Sequence, residues 1–393
     1  MRVIWVIAGD ETGGVAQAVR GLTAAVHGHG IEPAFISLAD GQFCDEMRQR
    51  GKAVEVLGNY RLPTLAGSLF GRAATVAKTG ALSRRVRPAL ATAIRRARAD
   101  AVHVLWPNLM PLAAAAAKDA GVPCFWEMPN ILGRYPLAIN RRITQWRLQR
   151  YGVLPLANSA YTAATLGSRP VEPVVMHLGA DGSRFRPGAD PAVQRAELGI
   201  PEGAPVFAIA ARLTPEKGQL LLLQATASLP QAHEDVHLLL IGGPMESEFG
   251  RQLRHAAAQL GMADCFHLVG HTDHPERYYA AVDVAVNARV DPEPFGLSVV
   301  EAMLCAKPVL VHALGGPAET VIDGVTGWHV KEPTVEAFKA GILRALADRP
   351  RWAEMGAAAR ARALEHFTLE RQAEFYAKTV KDRLGVADGE GPA

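Results

Sequence analysis

The sequence predicts an α/β protein of two Rossmann-like domains facing across a cleft. Three observations carry that reading. The chain has 393 residues, too many for one ordinary domain and enough for two cores. Short apolar runs alternate with stretches of helical periodicity, the rhythm of a parallel sheet covered on both faces. That rhythm stops once, at 177–187 (HLGADGSRFRP), where Gly, Asp and Arg replace apolar periodicity, and then restarts. Composition agrees: 49% hydrophobic and 21% charged residues exclude a disordered, collagenous or coiled-coil chain.

In the first half, residues 3–8 form the first buried strand; this apolar region is too short for a secretory signal. Thr12-Gly13-Gly14 turns the chain into a helix with Val15, Ala18, Val19, Leu22 and Val26 at helical spacing, ended by Gly28 and Gly30. Strands are expected at 34–38, 53–57, 101–105, 123–126 and 152–157. In the second half they are expected at 205–211, 236–242, 265–269, 282–287 and 308–312. Helices are expected at 220–228, 249–260 and 297–305, with the chain helical from 335 onward. No apolar run approaches the roughly 18 residues of a membrane span. Cys44, Cys124, Cys265 and Cys305 form no Cys-x-x-Cys pair, so neither a disulfide framework nor a structural zinc is expected. A soluble protein of a reducing, cytoplasmic compartment is the expectation.

Charge divides the chain. Of 42 Lys+Arg and 39 Asp+Glu, 21 and 10 fall in residues 1–170, a net of +11, leaving −8 for the rest. Two lobes of opposite sign imply different partners, the first facing something anionic. Nucleic acid is not expected, because the basic half lacks a binding motif and its aromatics do not interleave with its charges. Two basic clusters stand out: Arg84, Arg85, Arg87, Arg95, Arg96 and Arg98, and then Arg141, Arg142, Arg147 and Arg150 around Ile143 and Trp146. A basic helix with an aromatic face can lie on anionic lipid, against which stands an ordinary solvated face.

Several loops carry chemistry. Gly13 and Gly14 follow the first strand and open a helix, where unpaired N–H groups suit a phosphate. No acidic residue ends the next strand, as a ribose contact to NAD would want. Arg212 and Lys217, in ARLTPEKG, stand at the same position of the second domain, and two cations beside a helix start can clamp a diphosphate. In EPFGLSVVEAM (293–303), Pro294 and Gly296 forbid helix at the start, so Glu293 lies on a loop and Glu301 about one turn into the next helix. The amides of Gly296, Leu297 and Ser298 then suit an anion, and the flanking carboxylates suit sugar and ribose hydroxyls. Gly315-Gly316-Pro317-Ala318-Glu319 reaches the same sheet edge. His271, His274 and Asp273 show no third metal ligand, so no metal site is expected.

These residues in order, ARLTPEKG, EPFGLSVVEAM, KPVL and GGPAETVIDGVTGWHV, resemble the retaining glycosyltransferases of family 4, whose two-Rossmann architecture is the GT-B fold. The resemblance also takes in the TGG turn and the run HLGADGSRF. The Lys-x-Gly-Gly-Leu turn of bacterial glycogen synthases is absent. The resemblance implies a nucleotide diphosphate sugar as donor, with no cofactor and no metal, since no Asp-x-Asp occurs. It implies that Arg212 and Lys217 hold the diphosphate, Glu293 the transferred sugar and Glu301 the ribose. The amides around Phe295–Ser298, with Gly13 and Gly14, would approach phosphates, and the stretch ending in Gly270 and His271 would lie near the base. The acceptor would be a glycan, a lipid-linked or a small-molecule hydroxyl, in cell-surface polysaccharide or glycolipid synthesis. Where the family often has His-x-His, this chain has His103 and then Leu105, and Glu127 stands where many members place a His. His103 is a candidate catalytic residue, and Glu127 and Asn130 are acceptor-side candidates. A non-catalytic, hydrogen-bonded His103 stays open.

The expected organisation is an acceptor domain over 1–178, a linker over 179–188 and a donor domain over 189–365. A helix over 366–384 would return to the first domain, followed by a disordered tail over 385–393. Two other readings fit the architecture: a nucleotide-sugar 2-epimerase, which needs an acid and a base across the cleft, and a non-catalytic sugar-nucleotide-binding protein.

Overall fold

The computed structural model describes residues 1–61, 69–133, 138–188, 190–231 and 235–386, with no account of the side chains of 69–79. The chain divides into two compact units, Met1–His177 with Leu369–Ala393, and Leu178–Thr368.

The first unit holds seven strands: β1 (Arg2–Ile7), β2 (Glu32–Ser37), β3 (Val54–Val56), β4 (Ala101–Val104), β5 (Cys124–Met128), β6 (Val153–Ala157) and β7 (Val174–Val175). They pair in parallel in the order β3-β2-β1-β4-β5-β6-β7. Central strands are buried on both faces, so β1 reads RVIWVI without polar alternation. Val3, Trp5 and Ile7 enter one core with Phe35 and Phe125; Ile4 and Val6 enter the other with Val102, Val104 and Trp126. The helix Leu369–Leu384 completes the first of these cores with Ala373, Tyr376, Ala377 and Val380, one stripe at helical spacing.

The second unit holds β8 (Val206–Ala210), β9 (His237–Ile241), β10 (Phe266–Gly270), β11 (Val284–Asn287), β12 (Val309–His312) and β13 (Gly327–Val330). All pair in parallel, in the order β10-β9-β8-β11-β12-β13. Each unit is therefore a doubly wound α/β sheet.

Three details differ from the sequence expectation. Strands β7 and β13 were not expected: β7 is two half-buried residues, and β13 (GWHV) begins on glycine and contains a histidine. Residues 179–188 do not form a free linker but pack into the second unit. Ala180 donates to the Phe367 carbonyl at 2.9 Å, Phe185 is buried beside Tyr279, and Arg184 pairs with Glu276 at 2.7 Å. Of the expected tail, 387–393 lie outside the described residues, while the amide of Val386 still bonds to the Lys381 carbonyl at 3.1 Å.

Candidate active site

Open α/β sheets bind ligands at the carboxyl ends of the strands where the winding reverses. In the second unit that point lies between β8 and β11. The loop after β8 carries Arg212 and Lys217, and the loop after β11 carries Glu293. The two loops meet. Lys217 Nζ donates to Glu293 Oε2 at 2.8 Å. The Val290 amide donates to the Glu216 carbonyl at 3.0 Å. Gly218 has φ +74°, and a Cβ there would stand 1.9 Å from the Ala288 carbonyl oxygen, so only glycine lets the loops approach this closely. The loop after β12 closes the third side: the Gly316 amide donates to the Glu293 carbonyl at 2.9 Å, and a Cβ at Gly315 would meet that same carbonyl at 2.0 Å.

The sequence reading missed Arg289. Its guanidinium donates to Asp291 through Nε at 2.5 Å and Nη2 at 3.2 Å, and to Glu293 Oε1 through Nη1 at 3.2 Å. Glu293, itself buried, thus lies between two cations, Lys217 on one oxygen and Arg289 on the other. Against the desolvation that burial imposes, Asp291 and Glu293 hold the Arg289 guanidinium above its ordinary pKa. The hydrogen bond from Arg289 holds the Asp291 carboxyl below the usual carboxylate range. The Arg289 carbonyl accepts from His312 Nδ1–H at 2.7 Å, which fixes the backbone of the loop. The available signal was an arginine four residues before Glu293, and no motif marks it.

The other donor-side candidates lie on the loops after β8 and β10 and at the start of the helix after β11. Arg212 stands exposed on the Lys217 loop, its carbonyl accepting from Gln219 Nε2 at 2.7 Å. Helix Leu297–Leu304 begins at Gly296, with φ +89°, and Leu297 and Ser298 form its first turn. Phe295 directs its ring into the core against Phe367, so only its backbone can serve a ligand. Glu301 is buried one turn into that helix. Gly270 ends β10, and His271 follows it almost fully exposed.

In the first unit the winding reverses between β1 and β4. Gly13 and Gly14 open the helix Gly13–Ala25, and no atom lies within 4 Å of where either Cβ would be, so the turn offers bare backbone. Glu11, also missed from sequence, ties the two loops at this point. Its buried carboxylate accepts from the Ala8 amide (2.7 Å), the Gly9 amide (3.0 Å) and the Trp106 indole N–H (3.1 Å).

His103 is a different matter. It lies within β4, fully buried and stacked on Trp5 at 5.1 Å between ring centroids. Its Nδ1 meets the Tyr376 hydroxyl at 2.9 Å and its Nε2 meets Glu127 Oε2 at 3.2 Å. Burial pushes the Tyr376 phenol well above its ordinary pKa, so it stays protonated. The arrangement that satisfies all three groups has Tyr376 O–H donating to Nδ1 and Nε2–H donating to Glu127. Both ring nitrogens are used inside the core. These contacts match the hydrogen-bonded arrangement of His103 that the sequence leaves open beside a catalytic one. Leu105 is buried, Glu127 is buried on β5, and Asn130 is exposed just beyond that strand.

Among the described residues, no three His, Cys, Asp or Glu side chains gather as metal ligands. His271 and Asp273 approach to 3.7 Å in an exposed loop, and His274 pairs with Glu276 at 3.0 Å.

Two doubly wound units, each with its loops gathered at a switch point, are the GT-B architecture. Comparison with known proteins gives the family. Residues 191–362 match the glycosyl transferases group 1, and residues 13–177 match the glycosyl transferase 4-like domain. The chain belongs to the family 4 type of glycosyltransferases. It is 36% identical to the lipopolysaccharide 1,2-N-acetylglucosaminetransferase of Salmonella typhimurium over 165 residues, 40% of this chain and 43% of that one. It is 32% identical to the D-inositol 3-phosphate glycosyltransferase of Nocardia farcinica over 274 residues, 66% of this chain and 60% of that one. The chain thus spans 43% and 60% of the lengths of these curated relatives. Anabaena HepE, solved in complex with UDP and glucose, shares the fold with a TM-score of 0.78 at 23% identity, over 97% of this chain and 99% of that one.

Proposed function

We propose that the chain is a retaining glycosyltransferase that moves a sugar from a UDP- or GDP-linked donor to a hydroxyl acceptor. The observation that carries this reading is the Lys217–Glu293–Arg289 group at the switch point of the second unit. It sets cations suited to a diphosphate beside a carboxylate suited to sugar hydroxyls. The likeness to HepE, which was solved with UDP and glucose, supports the donor class.

The reaction breaks the bond between the sugar's anomeric carbon and the diphosphate oxygen. The acceptor oxygen bonds to that carbon on the same face, and the acceptor proton passes to the departing phosphate. Arg212 and Lys217 stabilise the charge that develops on the diphosphate. Glu293 orients the transferred sugar, Glu301 holds the ribose, and the amides of Gly296–Ser298, with Gly13 and Gly14, approach phosphates. Gly270 and His271 flank the base. Glu127 and Asn130 serve the acceptor, a glycan, a lipid-linked or a small-molecule hydroxyl. With cations and helix starts meeting the diphosphate, transfer proceeds without a divalent metal and persists in chelator.

A thermal-shift panel of nucleotide sugars, followed by transfer assays on wild type and Glu293→Gln, tests this. A donor at one hundred times its dissociation constant stabilises by about 2.7 kcal/mol. Glu293→Gln is expected to keep that shift while losing about a hundredfold or more in turnover. An epimer formed from donor alone would instead show an epimerase, and binding without turnover on any acceptor would show a non-catalytic protein.

A further inference from the structure

The helix Ile139–Tyr151 (INRRITQWRLQRY), which joins β5 to β6, has two unlike faces. Its inner face is locked. Buried Gln145 donates through Nε2 to the carbonyls of Leu166, Gly167 and Val171 at 3.3, 3.1 and 2.9 Å, and its Oε1 accepts from the Val171 amide at 2.9 Å. Leu148 is fully buried beside it, and Lys118 Nζ donates to the Arg150 carbonyl at 2.8 Å.

The outer face is therefore fixed outward. It presents Ile139, Ile143 and Trp146, which are 49, 45 and 55% exposed and stand at the i, i+4, i+7 spacing of one stripe. Arg142 and Arg147 flank the stripe, and the Arg150 guanidinium lies 5.5 Å from the Trp146 ring centre. The helix contains no Asp or Glu. Among the described residues no carboxylate pairs with Arg141, Arg142, Arg147 or Arg169, and a recess of about 230 Å³ opens beside Trp146 between Arg141, Arg142 and Arg169.

Two arginines of the other basic cluster of this unit pair with carboxylates. Arg87 forks onto Asp119 at 2.6 Å through both nitrogens, Arg96 pairs with Glu55, and Arg95 donates to the Asp119 carbonyl at 3.0 Å. The helix Ile139–Tyr151 joins a basic cluster to an exposed apolar stripe on one face.

We propose that this face docks the chain on an anionic bilayer, with the arginines on lipid phosphates and Trp146, Ile139 and Ile143 in the interfacial layer. A bilayer offers negative charge and an apolar layer in one plane, which is what this face matches. A second copy of the same face would bring arginines against arginines. The proposal does not depend on the sugar transfer above. It does place the lipid surface beside the helix whose first turn follows the carboxyl end of β5, where Glu127 and Asn130 lie.

The test is sedimentation of the full chain with phosphatidylcholine vesicles, with and without phosphatidylglycerol, at about 0.05 M and about 0.5 M salt. Wild type is expected to bind the anionic vesicles at low salt, with at least a tenfold loss at high salt and a similar loss on phosphatidylcholine alone. The double variant Arg142→Glu/Arg147→Glu loses binding by roughly tenfold to a hundredfold, while Arg254→Glu, in the second unit, retains it. Trp146 emission shifts to the blue on anionic vesicles, and Trp146→Phe abolishes that shift without unfolding the chain. Wild type remaining in the supernatant at low salt overturns the proposal, as does equal binding by the double variant. A dimer that depends on Trp146, with no vesicle binding, assigns the stripe to a second copy and overturns it too.

Discussion

Lys217 Nζ lies 2.8 Å from Glu293 Oε2, joining the loop after β8 to the loop after β11 across the switch point of the second sheet. Both side chains are largely buried, so the contact is little screened by solvent. The pair sets a cation and a carboxylate where a diphosphate and its sugar would each need one. Lys217→Met removes the cation and leaves Glu293 on Arg289 alone. A charge-assisted hydrogen bond is worth about 1.5–3 kcal/mol, so affinity for the nucleoside diphosphate should fall by about tenfold to a hundredfold, read by calorimetry. Unchanged affinity would remove Lys217 from the site.

Arg289 makes the separation of roles sharper. It holds Glu293 Oε1 while its fork is anchored on Asp291, so Glu293 would keep a counter-charge if Lys217 turned to a phosphate, as proposed above. Arg289→Ala removes the cation that Asp291 and Glu293 share, and kcat/KM should drop by about tenfold or more. Arg289→Lys keeps the charge but loses the planar fork, and should recover only part of the loss. Steady-state kinetics of the two variants decide it: equal rates for Ala and wild type would show that Glu293 needs only Lys217.

The buried chain Tyr376–His103–Glu127 ties the C-terminal helix to β4 and β5 of the first sheet. Tyr376→Phe leaves His103 Nδ1 without its donor at a buried position, at a cost of about 1–3 kcal/mol in unfolding free energy. A positioning role adds a second signature: KM for the acceptor rises while KM for the donor stays put. Loss of stability with both constants unchanged would reduce the three residues to a core hydrogen-bond network.

Much of this was legible in the sequence because parallel strands buried on both faces carry near-continuous apolar runs, as β1, β9 and β12 do between their polar end residues. The loops rich in Gly and Pro after β8 and β11 were legible for a related reason, since a glycine or proline leaves few conformations to consider. Arg289, Glu11 and the partners of His103 were not. Arg289 matters through contacts made by a folded loop, Glu11 by collecting two amides and an indole from 95 residues away, and Tyr376 meets His103 across 273 residues. Side chains that act by pairing over such separations leave no period and no spacing to read. Charge was legible in sum and by cluster but not in its pairing: Arg87 meets Asp119 across 32 residues and Arg96 meets Glu55 across 41.

The second sheet also carries a pH-sensitive pair away from the site. His237 opens β9 and His267 lies in the neighbouring β10, their rings stacked at 12° with centroids 5.1 Å apart and Nδ1 2.8 Å from Nε2. One ring donates and the other accepts, so the contact needs a neutral acceptor. Burial pushes both imidazoles below their ordinary pKa of 6.5; for His267 the charge of its partner adds to this, and for His237 nearby Asp235 opposes it. The sign follows from linkage. Below the unfolded value the denatured chain binds protons that the native pair resists, so native stability is full above about pH 6.5 and falls as pH drops toward the lower folded values. The slope per group is at most about 1.4 kcal/mol per pH unit. Denaturant midpoints should therefore be lower at about pH 5.5 than at about pH 7.5, and His267→Gln, which cannot charge, should narrow that difference by removing one titrating group. A variant whose pH dependence matches that of wild type would show that the pair does not govern acid stability.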